Sequence, residues 1–237
     1  MEMTEKGLKD FGIRFGDIEG YLQMPEKIAR RSGIGAELAL GIKELSKRYG
    51  GEEFAMQSKG LEFPGYEPRG SWAMGLAYAV ADRGACHMRS YPIASEVYEG
   101  TVEPYTGEGK AKLVYDGQVY NAVKFSGIIC DFWGLGLDTL AELLTIVTGE
   151  TFTEADMETI GDRIIHLARA FNQREGFTGK DDTLPRRIFN ETLKSGVAAG
   201  QRIPEEVFGK MLSEYYEIMG WQPDGTISPE KLEELAL

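Results

Sequence analysis

Between Lys59 and Pro92 the chain runs KGLEFPGYEPRGSWAMGLAYAVADRGACHMRSYP, and this stretch limits the fold more than any other. Gly60, Gly65, Gly70, Gly75 and Gly84 are interleaved with Phe63, Tyr66, Trp72, Met74, Leu76 and Tyr78. A flexible linker mixes glycine with polar residues. Glycine among large apolar side chains instead marks backbone that turns sharply or approaches something closely. The stretch belongs against a body or a ligand, and the remaining chain must hold it there.

Most of that remainder has helical spacing. Residues 1–24 interrupt Leu8, Phe11 and Ile13 with Gly12, Gly16 and Gly20, which reads as a turn-rich lead-in. Pro25 suits the first turn of a helix over EKIARR, broken at Ser32–Gly35. Leu38, Ile42, Leu45 and Tyr49 mark a second helix, stopped by Gly50-Gly51. Trp72–Ala81 reads as a buried helix, and residues 94–109 as a polar surface loop. Residues 111–124, AKLVYDGQVYNAVK, fit two structures. Asp116-Gly117 between apolar residues favours a hairpin slightly, while a helix interrupted at Gly117 remains open. Further on, Asp138 can cap LAELLTIVTG, and Thr153 with Asp156 forms a capping-box pattern. Ile160, Ile164, Leu167 and Phe171 make one helical stripe. Pro185 restarts a short helix, and Pro204 opens one carrying Val207, Met211, Tyr215 and Ile218. Ser228-Pro229 begins a last one. The expected fold is predominantly α-helical, with about eight helices, long irregular glycine-rich loops and room for one small hairpin.

Composition narrows function by exclusion. A formal charge of −12 over 237 residues disfavours nucleic acid, which requires a basic face. Cys86 and Cys130 are too few for a disulfide scaffold, so the expected compartment is the cytoplasm. No apolar run reaches the ~18 residues of a membrane span, and no secretory signal is recognisable. Neither cysteine lies in a C-x-x-C pair, so this chain alone cannot supply four thiolates to a cluster.

Cys86, His87 and Arg89 form the densest chemical grouping. An imidazole beside a guanidinium can hold an anion and move a proton, although a packed turn with a satisfied histidine is the more frequent outcome. A hydrolase built on Cys86 and His87 is disfavoured, because neighbouring residues diverge and no orienting third group is evident. Cys130 reads by pattern as a buried small hydrophobe at the mouth of a loop, and His166 as a partly packed helix residue. Glu62 and Glu67 are more readily acceptors for turn amides and for Arg69 and Arg83 than a catalytic pair. Asp181-Asp182-Thr183 reads as a helix cap before Pro185.

Several long segments resemble, in order, the C-terminal region of the aldehyde:ferredoxin oxidoreductase family, the tungsten or molybdenum bis-pterin enzymes. They are IARRSGIGAELALGIKELSKRYGG, EFAMQSKGLEFPGYEPRG, MGLAYAVADRGACHMRSYP, GLGLDTLAELLTIVTGE, FNQREGFTGKDDTLPRR and MLSEYYEIMGWQPDGTISPEKLEELAL. The resemblance implies α-helical domains behind a separate N-terminal pterin-binding domain. It implies oxidation of an aldehyde with water to a carboxylic acid, with electrons passing through a [4Fe–4S] cluster to ferredoxin. His87 matches the histidine of the RGACH motif near the metal, and Arg89 the basic position that contacts the pterin. Cys130 matches the fourth cluster cysteine. Three departures accompany these matches. Phe125 stands where the family has a pterin-binding aspartate, Ile128 where it has glycine, and Glu67 where it has aspartate.

The resemblance further implies that residues 1–58 are the remnant of a middle helical domain and residues 59–237 the C-terminal one. The pterin domain, three cluster cysteines and an upstream glutamate have no match in this sequence. Two readings stand. In one, the chain is a split part or subunit, inactive alone, whose partner supplies the pterin domain. In that reading an apolar surface should be exposed around residues 59–92 and 125–135. In the other it is a non-catalytic binding or homo-oligomerising domain, with no cofactor in the isolated chain.

Overall fold

The computed structural model describes residues 1–237. Eleven α-helices carry nearly all the regular structure. They are α1 (Glu2–Glu5), α2 (Ile18–Ala29), α3 (Ile34–Leu38), α4 (Gly41–Tyr49), α5 (Trp72–Val80) and α6 (Lys110–Ser126). After them come α7 (Leu137–Thr148), α8 (Glu154–Arg174), α9 (Arg186–Asn190), α10 (Glu205–Met219) and α11 (Pro229–Glu234). Two short antiparallel strands, β1 (Gln57–Ser58) and β2 (Leu61–Glu62), pair Gln57 with Glu62 and Ser58 with Leu61. The predominantly helical expectation holds. The helix number exceeds it because several elements are single turns.

The principal core surrounds α5, every residue of which is buried. A helix that is apolar all round has no solvent face, so it must lie inside other elements. Ala73, Met74, Leu76 and Tyr78 join Ile188, Ile203, Met211, Tyr215 and Met219 from α9, α10 and the loop between them. Burying each larger side chain contributes about 1.5–3 kcal/mol. A separate small core gathers Met3, Phe11, Ile13, Met24, Leu45 and Phe54. Glu2 on α1 is tied to Arg187 on α9, with Arg187 Nη1 donating to Glu2 Oε2 at 2.8 Å.

Four local readings need correction. Residues 111–124 are helical within α6, with no hairpin. Gly117 serves packing, because a Cβ there would collide with the Ser90 side chain. Pro25 lies inside α2, which starts earlier at Ile18 under an Asp17 cap; the first-turn placement was therefore too late. Asp138 does not cap α7, whose N-cap is Gly136. Residues 94–109 are not wholly a surface loop. A π-helical turn over Ala94–Tyr98 buries Glu96, which pairs with buried Lys110 at 2.5 Å. By contrast, the Thr153/Asp156 capping box, the Pro204 start and the Gly220 stop are all present.

The longest helix, α8, crosses α6 where Gly161 meets Val119. A Cβ at Gly161 would lie 2.8 Å from both Val119 Cγ1 and the Val119 carbonyl oxygen. Gly161→Ala should therefore destabilise the protein by about 1–3 kcal/mol in urea denaturation, through overpacking against backbone that cannot move aside.

A pH effect follows from the α1–α9 tie. The Arg187 hydrogen bond holds the Glu2 carboxyl below its usual 4.5. A depressed carboxyl contributes stability above its unfolded value, and loses it as pH falls through the folded one. Between about pH 5 and pH 3, Glu2→Gln should lose less urea stability than the parent. The difference should be small, because solvent reaches the pair.

Candidate functional site

The site begins where α5 ends. Asp82 to Arg89 form a turn-rich loop stitched to the helices beneath it. Asn172 on α8 donates to the Asp82 carbonyl at 2.6 Å, and Asn121 on α6 donates to the Met88 carbonyl at 3.0 Å. Gly84 has φ +99°, and a Cβ there would strike the Ser58 carbonyl, so only glycine allows the loop to lie on the β1–β2 turn. Within the loop, Arg83 Nη2 donates to Cys86 Sγ at 2.8 Å, and the Met88 amide to the same sulfur at 3.3 Å. Buried Cys86 is thus a structural acceptor. Arg83 spends its guanidinium there and not on Glu62 or Glu67, which corrects that expected pairing.

Arg89 is fixed by Asp82 in a two-point ion pair, Nε to Oδ1 at 2.6 Å and Nη2 to Oδ2 at 3.0 Å. The hydrogen bond to Asp82 raises the Arg89 pKa above its ordinary value. His87 is half-buried, with its ring 5.3 Å from that of Tyr66 and 6.1 Å from that of Tyr91. A cleft of about 220 Å³ between α6 and α8 is lined by Asp82, Arg89, Phe125 and Trp221, among others. It brings Arg89 and Phe125 together; His87 and Cys130 are not part of its lining.

Cys130 sits on a second loop, just past α6. Lys124 is buried and reaches outward to hold this loop, its Nζ 2.9 Å from the Asp131 carbonyl and 3.0 Å from Asp131 Oδ1. The Cys130 thiol is exposed. Beside it Ile128, Phe132 and Trp133 are 93%, 95% and 63% exposed. Of the expected apolar surface, this half exists. Within residues 59–92, the segment 72–81 is instead buried in the core, while Leu61 is exposed and Phe63, Tyr66 and Tyr91 are partly exposed.

Other singled-out residues have structural duties. Glu67 accepts from the Arg69 amide and from its guanidinium, the latter at 2.8 and 2.9 Å. Glu62 accepts from the Ile42 amide at 3.1 Å. His166 is fully buried between the Asp162 and Met219 carbonyls, at 2.7 and 2.9 Å. Asp181 forms a capping box with Thr178. Asp182 corrects its expected role, being the buried partner of Lys59 and Arg169 and not a helix cap. Sequence reasoning missed Asn121, Asn172 and Lys124, since a polar residue on a helix carries no mark of a distant loop.

The whole chain, residues 1–237, matches the family model for aldehyde ferredoxin oxidoreductase, domains 2 and 3. The chain belongs to that family. It is 38% identical over 250 aligned positions to a tungsten-containing aldehyde ferredoxin oxidoreductase of Pyrococcus furiosus. It is 36% identical to the corresponding enzyme of Thermococcus kodakarensis. A more distant relative, at 27%, is the WOR-like subunit of an aliphatic sulfonate oxidoreductase from Pyrococcus furiosus. All of this chain aligns with each, but it spans only 41%, 41% and 38% of their respective lengths. The fold matches the active-site complex BamBC of benzoyl coenzyme A reductase with a TM-score of 0.73 at 19% identity, covering 42% of that chain. No helix is long and apolar enough to cross a membrane.

The donor set of this chain does not fit the family's redox groups unaided. No three His, Cys, Asp or Glu side chains converge to hold a metal. One exposed thiol cannot hold a four-iron cluster. Phe125 offers no acceptor to a pterin N–H. These residues form at most one wall.

Ile128 adds backbone strain to that wall. Its φ of +57° is left-handed, which is unfavourable for a β-branched residue. Its exposed side chain contributes little burial within the chain. Ile128→Gly should raise urea stability by about 0.5–1 kcal/mol, relief of strain exceeding glycine's entropy cost. A loss of stability would mean that the side chain supports the fold.

Proposed function

We propose that this chain is one part of a tungstopterin iron–sulfur oxidoreductase and is inactive alone. The complete enzyme would convert an aldehyde and water to a carboxylic acid, two protons and two electrons, the electrons leaving for ferredoxin. Another polypeptide, or sequence beyond these residues, would supply the pterin-binding domain and three cluster cysteines. The observation that carries this reading is the loop over residues 128–133. It presents a free thiol among three exposed large apolar side chains, anchored from below by Lys124. Exposed large side chains around a reactive group are what a joint between two bodies requires.

In this reading Cys130 ligates the cluster at the joint, and the cluster supplies the electron path. Arg89, aimed by Asp82, faces an anionic group with the guanidinium N–H groups that Asp82 leaves unused. The half-buried His87 accepts or relays a proton at a ring nitrogen. The tungsten character of the relatives supports a tungsten bis-pterin over molybdenum. The cytoplasm is the proposed compartment. The separate small core formed by residues 3–54 supports a division into residues 1–58 and 59–237.

A second reading is favoured by Phe125. An apolar ring in the Arg89 cleft suits a helical domain that binds without redox chemistry. Co-purification from the native cell followed by metal analysis separates the two. The first reading expects tungsten and iron with a larger assembly or longer polypeptide, and loss of cluster iron in Cys130→Ser without loss of helix content. Recovery of the chain free of metal and of any such partner overturns it.

A further inference from the structure

The cleft between α6 and α8 holds a set of polar groups that is one-sided. Asp82 is the only acid in its lining, and Arg89 occupies both of its carboxylate oxygens. The Ser126 hydroxyl is spent on the Ala122 carbonyl at 2.8 Å. What remains is donors. Arg89 gives Nε and Nη2 to Asp82, which leaves Nη1. Gln118 accepts the Tyr215 hydroxyl with Oε1, which leaves its amide N–H groups. Trp221 is more than nine-tenths buried, and its Nε1 has no acceptor. A buried indole N–H is normally paired, so an unpaired one in the wall of a cleft points to an acceptor that a ligand brings.

Charge and shape narrow the ligand. Arg169, also in the lining, shares one buried carboxylate, Asp182, with Lys59, so the protein beside the cleft carries an excess positive charge. The rest of the wall is apolar, from Ala122, Phe125, Ile164, Ile165 and Ala168. A cavity of roughly 150 Å³ holds benzene, so the 220 Å³ here suits about nine non-hydrogen atoms. We infer that this cleft binds a monocarboxylate with a compact, aryl-sized apolar body. Its carboxylate takes the free N–H groups of Arg89, Gln118 and Trp221, and its body lies against Phe125 and the α8 isoleucines. A cation would find no free acceptor. A dicarboxylate or a sugar would strand polar groups on the apolar wall.

The inference rests on the binding reading that Phe125 favours, and it gives that reading a ligand. The cleft is complete within this chain, so its test needs neither metal nor partner. Metal analysis of the native assembly tests the reading itself. A native chain that is free of metal and does not bind the probe overturns this inference alone.

Benzoate is the probe, titrated calorimetrically into the 237-residue chain. The dissociation constant should lie between about 10 μM and 1 mM, as expected for a ligand of this size. Benzoate should shift the Trp221 Nε1–H resonance, and benzylamine, of the same shape and opposite charge, should not. Arg89→Gln should weaken binding at least tenfold. Trp221→Phe, which keeps an aromatic ring and removes the N–H, should weaken it at least threefold. Ala168→Phe should fill the cleft and exclude benzoate; if that variant loses helix content, Trp221→Phe still decides. No binding at millimolar benzoate overturns the inference. So does equal binding of benzylamine, or benzoate binding indifferent to both Arg89→Gln and Trp221→Phe.

Discussion

One carboxylate between two cations holds the interior together. Asp182 is buried, with Oδ1 2.7 Å from Lys59 Nζ and Oδ2 2.8 Å from Arg169 Nη2. Tyr216 donates its hydroxyl to Oδ2 at 2.6 Å. The cluster keeps an excess positive charge, and backbone oxygens absorb the remaining donors. Arg169 gives Nε and Nη2 to the Gly225 carbonyl at 3.1 and 2.8 Å, and Lys59 also reaches the Ala79 carbonyl. Burial pushes the Lys59 pKa down, and Asp182 opposes that. A network of this kind is costly to leave half-made, since removing one partner strands a buried charge at about 3–5 kcal/mol. It joins the β1–β2 turn, the end of α5, α8 and α10. Lys59 itself has φ +53°, a conformation usually left to glycine, so its inward side chain is what fixes the turn. The Asp82–Arg89 loop leaves the same end of α5 and inherits that position.

Local chemistry was legible in the sequence, and long-range chemistry was not. The Thr153/Asp156 box, Pro204, Gly220 and Ser228-Pro229 mark helix ends because a cap acts within a few residues. Asp182 was misread because its neighbour Pro185 suggests a cap, while its true partners lie far away in sequence. The stripe on α8 was half right. Ile160 and Ile164 are partly buried, but Leu167 and Phe171 are 60% and 53% exposed, since at that end of the helix the covered side is the one carrying Arg169 and Asn172. For the site, spacing alone pointed to the Cys86–Arg89 grouping but placed Cys130 in the interior. Family resemblance singled out Cys130 for another role, and the structure finds it exposed.

The segment that reads as a hairpin is also the one that sets the spacing of the two site loops. Asp116-Gly117 looked like a hairpin turn because a helix interior seldom chooses that pair. Its glycine exists for contact, and the contact is Ser90, next to Arg89. One turn further along α6, Asn121 holds the Met88 carbonyl; another turn on, Lys124 holds Asp131. Positions 117, 121 and 124 follow the i, i+4, i+7 spacing of a single helix face. That one face of α6 grips both loops, the one carrying His87 and Arg89 and the one carrying Cys130. The spacing between the two loops is therefore set by a rigid rod and not by flexible connections. A hairpin would place alternate residues on opposite faces, so it could not hold both loops from one side. On the proposed function, this is how a chain with only one wall of a redox centre can keep that wall in shape before the other arrives.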